Sequence, residues 1–129
     1  MAHRLLLLIA LIAGCAAAQQ HRVFELRTYT AVEGRLPALE ARFRDHTIAI
    51  FKKHGMESIG YWIPKDRPNT LIYILAHPSM DEAKKHWAEF TADPEWVKVK
   101  ADSETNAGGK LTVKTESVYM DPTDYSALK

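Results

Sequence analysis

Residues 70–77, Thr-Leu-Ile-Tyr-Ile-Leu-Ala-His, are an almost unbroken run of apolar, strand-forming side chains. A strand sends alternate side chains to opposite faces, so Leu71, Tyr73 and Leu75 share one face and Ile72, Ile74 and Ala76 the other. Both faces are apolar, and such a strand needs cover on both sides. Whatever fold this chain adopts must supply that cover twice.

The neighbouring segments supply one layer. Residues 22–30 alternate and read as a strand, with Phe24, Leu26, Thr28 and Thr30 on one face and Val23, Glu25, Arg27 and Tyr29 on the other. After Gly34, Leu36, Leu39, Phe43, Thr47, Ile50 and His54 recur at spacings of three and four, which predicts an amphipathic helix over 35–54. Pro37 suits its first turn, Lys52 and Lys53 its last, and Gly55 its stop. Residues 56–64 read as a second strand and 65–69 as a turn-forming loop. Ser79 with Glu82 matches a capping box, and Asp93-Pro94 restarts a helix that runs to about Thr105. Residues 110–120 read as a fourth strand and 121–129 as a surface tail.

The order βαββααβ is the ferredoxin-like, α+β pattern, a four-stranded antiparallel sheet with helices on one face. One of the two apolar faces of 70–77 then points away from the helices. An apolar surface of that size calls for a partner, and a two-fold copy is the economical one. A homodimer packed sheet to sheet is expected.

Composition limits the remaining options. A chain of 129 residues, 47% hydrophobic and 26% charged, fits one globular domain. Lys and Arg number 17 and Asp and Glu 16, with no basic cluster, so nucleic acid is not an expected partner. Arg4 followed by the apolar run 5–13 and the small residues 14–18 describes a secretory signal peptide, too short to span a bilayer. Two cleavage sites compete. One follows Ala18, leaving a signal peptide of 1–18. The other precedes Cys15, a lipobox-like site that removes 1–14 and puts a lipid anchor on the single Cys. Export to the periplasm or cell envelope, or secretion, follows from either, and the anchor is the one membrane attachment foreseen.

Residues 24–29, Phe-Glu-Leu-Arg-Thr-Tyr, resemble the opening strand of the NIPSNAP family. Gly34, Leu36, Phe43, His46, Lys53-His54-Gly55, Gly60-Tyr61-Trp62, Asn69, Tyr73 and Asp93-Pro94-Glu95-Trp96 follow in that family's order, over about 22–120. The resemblance implies a dimeric α+β barrel of two ferredoxin-like subunits, on an architecture that also hosts cofactor-independent monooxygenases and haem-binding enzymes. It implies no defined reaction, and the export signal departs from the mitochondrial leader of the animal members.

Candidate chemistry centres on a few residues. His46 falls on or beside the helix's apolar stripe and is the candidate base, although a hydrogen-bonded core histidine is the plainer reading. His54 is a candidate ligand contact, or simply a favourable cation at a helix end. Arg27 and Tyr29 could hold an anion or donate to it, or Arg27 could pair with Glu25. Trp62, between Gly60 and Pro64 in the pleat, leaves room for a ligand beside its ring. No metal-ligand spacing, G-x-G-x-x-G, P-loop or G-x-S-x-G occurs, so neither metal nor cofactor is expected. The reading is a dimer binding a small hydrophobic or aromatic molecule in a cleft bordered by His46, Arg27, Tyr29 and Trp62. The alternatives are a monooxygenase- or isomerase-type enzyme at that cleft and an envelope interaction module.

Overall fold

The computed structural model describes residues 21–129. The signal peptide and Cys15 lie outside the described residues. The apolar run is strand β3 (Thr70–His77), and it lies inside the sheet. It is flanked by β2 (Glu57–Trp62) and β1 (Val23–Ala31), and β4 (Thr112–Met120) pairs with the far side of β1. All pairings are antiparallel and the order is β2-β3-β1-β4, the ferredoxin-like arrangement. The second strand ends at Trp62, two residues short of the expected limit, before Pro64, which has no N–H to give a ladder.

One helical layer covers the sheet. It comprises α1 (Leu36–Arg42), a π-helical turn (Phe43–Thr47), α2 (Ile48–Lys53), α3 (Met80–Ala92) and α4 (Pro94–Ala107). Ser79 caps α3 by accepting from Glu82 N at 3.1 Å, and Asp93 caps α4 by accepting from Glu95 N at 2.8 Å. Gly55 ends α2 at φ +75°, where a side chain would be strained.

The π turn corrects one expectation. The wider turn advances fewer degrees per residue, so the helix slips in phase across it. Thr47 takes the inward position expected of it, at 1% exposure, but His46 faces out and does not join the stripe. The Arg42 carbonyl also accepts from Thr47 Oγ1 at 3.2 Å.

The register decides which face is which. Arg27 lies opposite Tyr73, so Glu25, Arg27 and Tyr29 share the helix side with Leu71, Tyr73 and Leu75. There Tyr73, fully buried, stacks on Tyr61 with centroids 5.3 Å apart and meets Phe43, Phe51 and Tyr29. The other face carries Leu26, Ile72, Ile74, Trp62 and Val118. Trp62 is half exposed there and lies across Gly60, where a Cβ would sit 2.5 Å from the ring. The C-terminal residues cover only one end of this face. Pro122 and Leu128 border a cavity of about 300 Å³ with Phe24 and Ile74, and Arg22 Nε donates to the Lys129 carbonyl at 2.9 Å.

Candidate functional site

Three residues two apart on β1 build the polar centre of the helix side. Glu25 is fully buried, and its carboxylate accepts four hydrogen bonds. Oε1 accepts from Trp87 Nε1 at 2.7 Å and from His77 Nε2 at 2.9 Å. Oε2 accepts from Arg27 Nη1 and from Ser117 Oγ, both at 2.7 Å. Burial pushes the Glu25 carboxyl up. The bonds from His77, Trp87, Ser117 and Arg27 outweigh it and hold the pKa lowered to about 2. A carboxylate only accepts, so His77 carries its proton on Nε2, and its Nδ1 is buried without a partner.

Arg27 is thereby fixed. Its guanidinium lies 4.2 Å over the Trp87 ring, a cation–π contact, and Nη2 donates to Tyr29 Oη at 3.2 Å. Burial works against its charge, but Tyr73, Tyr29 and Glu25 around it hold its pKa above the ordinary value. Tyr29 Oη also accepts from Tyr73 Oη at 2.9 Å. It thus accepts twice, and its own proton is committed to no protein group among the described residues. Arg27 Nε is a second uncommitted donor.

The centre is reachable from one side. The helices pack over β2 and β3 and α3 reaches β1 through Trp87, whereas β4 is exposed from Val113 to Tyr119 on both faces. Ser117 and Tyr119 flank Arg27 and Glu25 on the helix side of β4. The Arg27 side chain keeps 17% of its surface exposed there. Among the described residues no group of three or more His, Cys, Asp or Glu could hold a metal ion.

The four residues expected around one cleft do not share one. Arg27 and Tyr29 are together on the helix side. Trp62 pairs with Ile72, next to Tyr73 in the chain, and so lies on the opposite face. Exposed His46 borders an outer groove between α1 and α4, whose lining includes none of the other three. His54 ends α2 and is tied through Nε2 to Asp93 Oδ2 at 2.7 Å, beside Lys53 Nζ at 2.7 Å from the same oxygen. Those partners hold the Asp93 carboxyl well below the usual range and join the end of α2 to the start of α4.

The residues the sequence reading missed are His77 and Ser117, while Trp87 was legible as one of the aromatics on an inward helix face. His77 continues the odd-numbered face of β3, so its side was legible. Its meeting with Glu25 depends on the pairing of strands 52 positions apart.

Comparison places this geometry among known proteins. A NIPSNAP family protein of unknown function from Agrobacterium tumefaciens is 29% identical, with a TM-score of 0.75 over 87% of this chain and 97% of its own. An uncharacterized NIPSNAP-like domain protein from Burkholderia xenovorans is 20% identical, with a TM-score of 0.72 over 84% and 90%. A putative antibiotic biosynthesis monooxygenase from Nitrosomonas europaea shares the fold at 11% identity and a TM-score of 0.60, over 86% and 99%. No curated protein matches the sequence. The NIPSNAP sequence pattern matches residues 24–127, and the chain belongs to the NIPSNAP family.

Proposed function

We propose that this chain is an exported, homodimeric protein that binds a small aromatic molecule between β4 and α3, at Arg27 and Tyr29. One observation carries the reading: Tyr29 accepts from Arg27 and Tyr73 and keeps its proton to give. Glu25 neutralises Arg27, so the site asks for no net charge. It suits a neutral ligand with an accepting oxygen, an aromatic ketone or quinone, whose ring lies along Trp87 and Tyr119. Titration with acetophenone and α-tetralone, followed by NMR of the Trp87 indole N–H, tests it. Saturable shifts that weaken at least tenfold in Tyr29→Phe are expected. Equal binding by that variant would remove the proposal.

Dimerisation is supported by the uncovered apolar face of Leu26, Ile72, Trp62 and Val118, of which Trp62 is 50% and Val118 55% exposed. Export is supported by the leader-like residues 1–18, with Cys15 as the point of attachment if cleavage precedes it.

The spare proton of Tyr29 also favours a second reading, an enzyme of isomerase or cofactor-independent monooxygenase type. There Tyr29 would donate to a carbonyl oxygen as it gains negative charge. Turnover of a bound ketone, lost in Tyr29→Phe with binding reduced only in part, separates this reading from simple binding.

A further inference from the structure

The groove between α1 and α4 encloses about 510 Å³ and lies away from the Arg27 centre. Arg42 is part of its lining. This arginine is only 6% exposed, yet among the described residues no carboxylate lies within ion-pair distance of it. Its one hydrogen bond there is a long one, Nη1 to Ser103 Oγ at 3.3 Å, and its Nε is buried without a partner. A guanidinium has five N–H donors, and arginine this deep is ordinarily paired. Glu104, the acid on α4 whose charge acts on it, lies 4.0 Å from Lys100 Nζ.

What surrounds Arg42 narrows the ligand. Its guanidinium lies 5.2 Å over the Trp96 ring, which holds the planar fork in one orientation. Ala38, Ala41 and Val99 make apolar walls too small to fill the space. Asp45, Glu95 and Asp102 are acidic residues of the lining, and Lys98 is already paired with Asp102. Three acids repel a phosphate dianion more strongly than a carboxylate of single charge.

We propose that the α1–α4 groove is a binding site for a small organic monocarboxylate, its carboxylate on Arg42 and Ser103 and its apolar body against Ala38, Ala41 and Val99. The carboxylate supplies the acceptors that Arg42 lacks, in the bidentate geometry that a guanidinium favours. Burial lowers the Arg42 pKa, and the pull of Glu104 does not offset it.

The test is titration of the full-length processed protein with sodium hexanoate and sodium benzoate, at ionic strength held constant with chloride. The Arg42 Nε–H resonance is followed by NMR. A saturable shift at millimolar concentration or below is expected, with inorganic phosphate at least tenfold weaker. Ala41→Leu fills the groove without touching the guanidinium and should weaken hexanoate at least tenfold. Arg42→Gln should abolish the response of the neighbouring Ser103 and Val99 amides while the far-ultraviolet spectrum is kept. Val113→Ala, on exposed β4 and away from the groove, should leave the titration unchanged. No saturation by 50-fold excess over a millimolar range, an equal response to phosphate, or full binding by Ala41→Leu would each overturn the assignment.

Discussion

Glu25 and His77 face each other across the pair β1–β3, both fully buried, with His77 Nε2 2.9 Å from Glu25 Oε1. The contact belongs to a larger knot. Through Glu25 the strand β1 is joined to β3 by His77, to β4 by Ser117 and to α3 by Trp87. One carboxylate therefore fixes four elements, and a change there acts on the fold as well as on Arg27.

Substituting Glu25→Gln should destabilise the protein by about 3–5 kcal/mol, because an amide turns a donor toward groups that also donate and leaves Arg27 uncompensated. Acid should reproduce part of this. The folded-state pKa is lowered to about 2 from an ordinary 4.5, so the stabilisation is present above pH 4.5 and is lost as pH falls toward 2. The shift corresponds to about 3 kcal/mol. Urea unfolding at fixed protein concentration between pH 7 and pH 2 would show the decline in the native protein and a shallower one in Glu25→Gln.

The two tyrosines of the site should not be equivalent. Tyr29→Phe removes the acceptor of both Arg27 and Tyr73, leaving a buried hydroxyl and a guanidinium N–H unpaired, at a cost of about 1–3 kcal/mol. Tyr73→Phe deletes only a donor whose acceptor keeps Arg27, and should cost about 1 kcal/mol or less. Chemical denaturation of both variants gives the order directly. A larger loss in Tyr73→Phe would mean that the hydroxyl chain runs the other way.

What could be read from the amino-acid order follows the range of the interactions. The alternation in 22–30 and the spacing 36–39–43 are local, and they marked strand, helix and the inward side of each. The Asp93-Pro94 start is local too, and it holds in α4. His46 was misplaced because the π turn at Phe43–Thr47 shifts the helical phase without a Gly or Pro to signal it. Trp62 and Arg27 were joined in one cleft because strand pairing, which puts them on opposite faces, is a long-range property. Nothing in the local pattern marks Arg42 as buried. Only the packing of α4 against α1 buries it.

Gly55→Ala should be costly for two separate reasons. Its φ of +75° is the left-handed conformation that ends α2, and a Cβ there would lie 3.0 Å from His86 Cε1. Loss of about 1–2 kcal/mol is expected from the backbone term together with displacement of the ring. His86 faces Glu82 at 3.2 Å, so the double variant Gly55→Ala/His86→Ala separates the causes. If the ring matters, removing it recovers part of the loss, and thermal unfolding of the single and double variants measures how much.

The uncovered sheet face gives the sharpest test of assembly. Ile72 and Val118 lie on it from different strands, on either side of β1, and the C-terminal residues line a cavity only at the Phe24–Ile74 end. If a second copy packs here, Ile72→Glu buries a charge with no partner in the dimer but leaves it in water in the monomer. The cost of about 3 kcal/mol falls on association alone and raises the dimer dissociation constant more than a hundredfold. Val118→Glu should act in the same direction. Exposed Val97 on α4, at 55% exposure, provides a control on the helical side, where Val97→Glu should leave association unchanged. Sedimentation at micromolar concentration would show dimer for the native chain and for Val97→Glu, and monomer for the two sheet variants. A native chain that sediments as a monomer would remove the dimer, and sheet variants that remain dimeric would place the interface elsewhere.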